Sequence, residues 1–145
     1  LDRFGLSVEV RSPNDIEERV EVIRRRAAFD TNPDAFVDKW AIEDSKIRDT
    51  ILTARDALKT IDAPDDTLRD CAGLCVAIGS DGLRGELTLL RAARALAAYK
   101  SSPVVTRDHL RSVASMALSH RLRRDPLDDA GSSTRVDRTV EEVFA

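Results

Sequence analysis

Residues 82–98 read GLRGELTLLRAARALAA and pose a problem in electrostatics. A helical pattern begins at Arg84, between Gly82 and Gly85. Aligned peptide dipoles leave partial positive charge at a helix start, where an acid or a bound anion is favoured and a cation is not. Two readings stand side by side. Either Arg84 is an ordinary exposed arginine, or it shares its site with an anion such as phosphate, which the exposed N–H groups of a helix start also attract. Arg84, Thr88 and Arg91 fall at i, i+4 and i+7 and form one polar stripe, with Leu87, Leu90, Ala93 and Ala97 opposite. From spacing alone a solvated stripe is the simpler reading. Arg3, in LDRFG, raises the same question, and locally a surface ion pair with Asp2 accounts for it.

Other reactive side chains suggest structure rather than chemistry. Cys71 and Cys75 sit four apart, on one predicted helical face with Leu68, Ala72 and Ile78. That spacing disfavours a disulfide, and zinc requires more ligands, so buried reduced thiols are expected. His109 and His120 are eleven residues apart, about 16 Å along one helix at ~1.5 Å per residue, too far to share a metal. No metal site is predicted. Nucleophile motifs, zinc motifs and a phosphate-cradling glycine loop are not found in the sequence, so no complete active site is visible. Arg24, Arg25 and Arg26 read as a solvated face.

Several elements must position these groups. GLSVEV (5–10) alternates and is β-branched, which predicts one short strand, Gly5–Val10. Ser12 is placed to cap a helix with Pro13 at its first position, followed by the apolar stripe Ile16, Val20, Ile23 and Ala27. TNPD (31–34) divides that helix from the next, which carries Phe36 and Trp40. A longer pattern then runs through Ile47, Ile51, Ala54 and Leu58 to Pro64. Leu68 to Ile78 follows, closed by Gly79 as a C-cap, and the Arg84 helix runs to KSSP. Thr106 caps a helix whose inner face is Leu110, Val113, Ala114, Ala117 and Leu118. Residues 123–133 read as a loop, and a last helix spans Asp137 to Phe144. Leu87, Leu90, Leu110, Val113, Ala117 and Leu118 are the predicted core.

Composition sets the outer bounds. The 145 residues are 42% hydrophobic, enough for a core, and only 4% aromatic, which suits helices packed through small side chains. With 23 basic against 26 acidic residues the net charge is −3, so nucleic acid is not an expected partner and any anion site is local. No apolar run is long enough to span a membrane. The thiols fit a cytoplasmic protein. The chain opens in mid-pattern on Leu1, which suggests a piece of something longer. The fold class is mainly α, a helical bundle preceded by one short strand.

Long stretches carry a resemblance: LDRFGLSVEV, VEVIRRR, GSDGLRGELTLLRAARALAA and LSHRLRRDPLDDAG. Over essentially all 145 residues the chain resembles the small ATPase subunit family of magnesium chelatases, within the AAA+ class, and most of all its purple-bacterial members. The resemblance implies the C-terminal part of such a subunit. Residues 1–31 would end the ATPase core, 32–63 would be a helical insertion before sensor 2, and 64–145 would be the helical lid. It implies ATP and Mg²⁺ as cofactors, held mostly by an upstream half bearing the Walker motifs, so that this segment alone would be inactive. The implied work is insertion of Mg²⁺ into protoporphyrin IX, on the way to chlorophylls and bacteriochlorophylls. The implied partners are a homo-oligomeric ring, a second AAA+-like subunit with an integrin-type metal-binding domain, and a large porphyrin-binding subunit. Residue by residue, Arg3 matches the arginine finger that reaches the ATP of the adjacent subunit. Arg84 matches the sensor 2 arginine that contacts the γ-phosphate. MoxR-type and cobalt chelatase ATPases share the plan. A non-enzymatic helical interaction module is the competing reading, in which both arginines would be replaceable.

Overall fold

The computed structural model describes residues 4–80, 82–122 and 132–145. Arg3 therefore lies outside the described residues, as does most of the predicted 123–133 loop. The described chain is helical: α1 (Ile16–Thr31), α2 (Pro33–Ala57), α3 (Asp65–Ile78), α4 (Arg84–Tyr99), α5 (Arg107–Leu118), a 3₁₀ turn (Ser119–Arg121) and α6 (Ser132–Val143). It divides into two compact units, Leu1–Val8 with Thr53–Ala145, and Glu9–Leu52.

The predicted strand Gly5–Val10 is not formed among the described residues. A strand is stable only when its backbone pairs with another, and no neighbour is present there. Instead the Ser7 N–H donates to the Met116 carbonyl at 2.8 Å. Among the described residues the β pairing is a single parallel bridge, Asp62 with Val104. The cap of α1 also differs from the expectation. Asp15, not Ser12, is the N-cap, and its carboxylate accepts from the Glu18 N–H at 2.9 Å. A charged acceptor there is favoured by both the hydrogen bond and the dipole. Pro13 stays outside the helix, and its carbonyl accepts from Arg19 Nε at 2.6 Å.

Within Glu9–Leu52, α1 has no buried residue. Its arginines make exposed ion pairs along the helix: Arg24 and Arg25 with Glu21, and Arg26 with Asp30. Asn32 breaks the chain and caps α2 by accepting from the Ala35 N–H at 3.1 Å. Phe29 and Phe36 meet edge to face at 5.7 Å across that break, Trp40 follows Phe36 at 6.1 Å, and the Arg25 guanidinium lies 4.6 Å over the Trp40 ring. The two patterns expected after TNPD form one helix of 25 residues.

The other unit holds the core. Leu74 of α3, Leu89 of α4, Leu110 and Leu118 of α5 and Val136 of α6 are fully buried, with Val105 from the segment before α5. Helix α5 packs against α3, α4 and α6. The buried ridge of α4 is Gly85, Leu89, Ala93 and Ala97, one residue per turn, and these small side chains let α4 approach its neighbours closely. The phase of α4 thus differs from the expected one. Leu87 is 51% exposed, because two residues before Leu89 is about 200° around the helix, and Leu90 is only half-buried. The other predicted core residues, Leu110, Val113, Ala117 and Leu118, are buried. In α3 the inward face is Cys71, Leu74, Cys75 and Ile78, while Leu68 and Ala72 are exposed.

Candidate functional site

The α3–α4 connection sets where Arg84 stands. Helix α3 ends on Gly79 at φ +75°, with the Gly79 N–H on the Val76 carbonyl and the Ser80 N–H on the Cys75 carbonyl. This is a Schellman closure, and it needs a residue that accepts a left-handed backbone. Gly82 is also left-handed, at φ +68°, and Leu83 leads into the helix. The two glycines of the opening motif do different things. Gly82 supplies conformational freedom. Gly85 supplies space, since a Cβ there would run into Ser80 Oγ and meet Leu118 Cδ2 at 3.4 Å.

Arg84 is the first residue of α4 and is exposed. Among the described residues no side chain caps this helix. The Arg84 backbone thus stands at the first turn of α4, where N–H groups and dipole favour an anion such as a phosphate. The polar stripe is less uniform than its spacing suggests. The Thr88 hydroxyl donates to the Arg84 carbonyl at 2.7 Å, so it is used by its own helix. Arg91 is exposed. Arg94, to which the sequence reading assigned no role, is half-buried and donates from Nη2 to the Ile61 carbonyl at 2.9 Å.

The remaining candidates are structural. His109 is buried and closes the cap of α5, its Nδ1 accepting from the Thr106 N–H at 3.0 Å. Burial, then the nearby Lys100 charge, holds its pKa below the usual histidine value. His120 lies beyond α5, in the 3₁₀ turn, with Nε2 2.9 Å from the Phe4 carbonyl. Cys71 and Cys75 are buried free thiols, and Cys71 Sγ donates to the Glu86 carbonyl at 3.6 Å. The adjacent Cys71 sulfur and burial push the Cys75 thiol up. Asp70 and Arg107, paired twice at 2.9 and 3.0 Å, tie α3 to α5, and Asp70 raises the Arg107 pKa. Such distant pairs leave no mark in sequence spacing. Among the described residues no group of three His, Cys, Asp or Glu could hold a metal ion, and no helix is long and apolar enough to cross a membrane.

Comparison with known proteins bears on the same helices. The chain is 66% identical over 144 residues to the magnesium-chelatase 38 kDa subunit of Cereibacter sphaeroides, covering 99% of this chain and 43% of that protein. With the subunit of the same name from Rhodobacter capsulatus it is also 66% identical, covering 99% of this chain and 41% of the relative. The Acidiphilium rubrum subunit is 50% identical over 145 residues, 42% of its length. The chain thus spans less than half the length of these relatives. Residues 68–143 match the AAA lid domain, from the first turn of α3 to the end of α6, with Arg84 inside the matched segment. A helical unit of this make, matched along most of its length, identifies the chain as a member of the AAA lid domain family.

Proposed function

We propose that the chain is the lid-bearing part of the ATPase subunit of a cytoplasmic magnesium chelatase. That subunit would couple ATP hydrolysis to insertion of Mg²⁺ into protoporphyrin IX, in chlorophyll or bacteriochlorophyll synthesis. The observation that carries the proposal is the 66% identity with two magnesium-chelatase 38 kDa subunits along nearly the whole chain. On this reading the subunit forms a homo-oligomeric ring. It works with a second AAA+-like subunit bearing an integrin-type metal-binding domain and with a large porphyrin-binding subunit. Residues 1–31 end the ATPase core, 32–63 are an insertion before sensor 2, and 64–145 are the lid.

Magnesium-bound ATP supplies the phosphoryl group when bound. Arg84, exposed at the uncapped start of α4, binds and orients the γ-phosphate and offsets the charge that grows on its oxygens. Gly82 and Gly85 support it, one by letting the chain turn and the other by letting α4 seat closely. Arg3 acts across the subunit boundary as the arginine finger.

The test is turnover by reconstituted full-length subunit. Arg84→Ala should lower ATP hydrolysis by roughly 10²–10³-fold, the scale of removing one preorganised donor from developing charge. It should leave the fold intact, since Arg84 is exposed. Arg91→Ala should hydrolyse ATP like the wild type. Arg3→Ala should lose ~10³–10⁵ in turnover while still binding nucleotide. Wild-type turnover in both Arg84→Ala and Arg3→Ala would instead favour the helical interaction module.

A further inference from the structure

One side chain joins the exit of α2 to the middle of α4. The last turn of α2, the segment after it and α4 all belong to the unit that includes Thr53–Ala145. Helix α2 ends at Ala57, but the chain still turns back onto it. The Leu58 N–H donates to the Ala54 carbonyl and the Thr60 N–H to the Ala57 carbonyl, each at 2.9 Å. The carbonyls beyond are taken by Arg94 of α4. Its Nη2 donates to the Ile61 carbonyl at 2.9 Å and reaches the Leu58 carbonyl at 3.5 Å. The next residue is stitched to the segment before α5. The Asp62 N–H donates to the Pro103 carbonyl at 3.2 Å, and the Val105 N–H donates to the Asp62 carbonyl at 2.8 Å. Ala54 and Ala57 pack against the core, and Ile61 is buried in it.

A guanidinium beside the last carbonyls of a helix meets the negative end of its dipole, so Arg94 caps α2 from another helix. This cap carries a cost. Arg94 is half-buried, and its Nε is buried with no hydrogen-bond partner among the described residues. An unpaired buried donor is destabilising, so what the arginine adds is a fixed location rather than cohesion. The remainder of the α4 contact supplies little of that. Its buried ridge, Gly85, Leu89, Ala93 and Ala97, is mostly bare backbone and methyl groups. A ridge of that kind permits close approach but has few knobs to set how far one helix slides along another. Arg94 follows Ala93 directly, and it stands ten residues, about 15 Å, beyond Arg84 on the same rod.

We infer that Arg94 is a positioning residue for Arg84: by gripping the Leu58 and Ile61 carbonyls it sets the axial place of α4, and with it the place of the first residue of that helix. The inference rests on the reading of Arg84 as the arginine that orients the γ-phosphate. It also links the segment read as an insertion, at its exit, to the helix that carries Arg84. Misplacing a group by about 1 Å can cost ~10²-fold in rate, so the grip matters through geometry although Arg94 itself meets only backbone carbonyls.

The experiment uses full-length subunit and four variants: Arg94→Met, Arg94→Lys, Arg84→Ala, and Arg84→Ala combined with Arg94→Met. Methionine keeps the apolar stem and removes the donors. Arg94→Met should lose about tenfold in kcat for ATP hydrolysis, with KM within about twofold of the wild type. The rate is taken per active subunit, counted by the amplitude of nucleotide binding, so that a loss of folded protein is not read as a loss of rate. Arg94→Lys, which keeps a charged donor without the planar fork, should fall between the two. Adding Arg94→Met to Arg84→Ala should cause no further loss, because Arg94 acts through Arg84. If Arg94→Met does not fold, Arg94→Lys is paired with Arg84→Ala in the same way. A wild-type kcat in Arg94→Met, a loss wholly accounted for by fewer active subunits, or losses that multiply with those of an impaired Arg84→Ala would each overturn this inference alone. Wild-type turnover in Arg84→Ala would overturn the phosphate reading first, and the inference with it.

Discussion

Helices α1 and α4 are each sixteen residues long, and each carries apolar residues at helical spacing. Helix α4 buries five residues, Gly85, Leu89, Ala93, Ala97 and Ala98. Helix α1 buries none; Ile16 is 72% exposed and Ile23 is 67% exposed. The difference lies in what stands opposite. Around α4 are α3 and α5, closed by buried leucines and by small residues that permit close approach. Around α1 the interactions within its own unit include a row of three aromatic rings, one pair edge to face and one tilted, and exposed ion pairs along the helix. Apolar spacing therefore records which face of a helix is adhesive. Whether anything covers that face is a property of the assembled surroundings. Surface ion pairs do not substitute for a core, since each contributes about 0–1 kcal/mol.

The contrast can be broken by mutation of the 145-residue chain, followed by denaturant unfolding. Leu110→Ala, at a fully buried position, should cost roughly 2–5 kcal/mol. An unchanged unfolding midpoint would mean that the lid helices are not the cooperative core. Two glycines sharpen the comparison inside the packed unit. Gly73 lies within α3 with nothing within 4 Å of an added Cβ, so Gly73→Ala should stabilise by about 1 kcal/mol through helix propensity. Gly85→Ala should destabilise by about 1 kcal/mol, because overpacking against Ser80 and Leu118 outweighs the same propensity gain. Equal midpoint shifts for the two would show that Gly85 is not a contact point.

A smaller effect should appear with pH. His109 caps α5 as the neutral ring, and burial lowers its folded pKa. The unfolded chain, with a histidine pKa of about 6.5, takes up the proton first as pH falls. Stability is therefore full above that value and declines as pH drops from it towards the lower folded pKa. His109→Gln, which can accept the same N–H without titrating, should flatten this part of the profile measured by thermal melting. A slope of the same size in the variant would assign it to other groups. The smallest change belongs to α1: Ile23→Ala should move unfolding by no more than about 0.5 kcal/mol.

Sequence pattern carried much of this architecture. Gly79 and Thr106 marked a real end and a real start, because left-handed glycine and a capping hydroxyl act locally. The inner face of α5 was legible, since its large residues are also its buried ones. The phase of α4 was not, because its buried ridge is largely glycine and alanine, while Leu87 and Leu90 dominate any hydrophobic count. Arg84 was visible as an anomaly of charge and position. The bonds of His120 and Arg121 to the Phe4 carbonyl were not legible, as that carbonyl is more than a hundred residues away along the chain. The short strand is not seen among the described residues, because alternation describes a segment able to pair and Gly5–Val10 has no strand beside it there.

Cys71 and Cys75 give this protein an internal clock. Both thiols are free and buried on α3, with Cys71 bonded to the Glu86 carbonyl in the first turn of the Arg84 helix. A thiol reagent in solution can reach them only during excursions in which the two helices part. Under fast reclosing the labelling rate then equals the intrinsic thiol reactivity multiplied by the fraction of time spent open. The lid unit thus reports its own breathing, without an added probe, as a reaction half-life. Any occupant that fastens the start of α4 should lengthen that half-life in proportion to how tightly it holds.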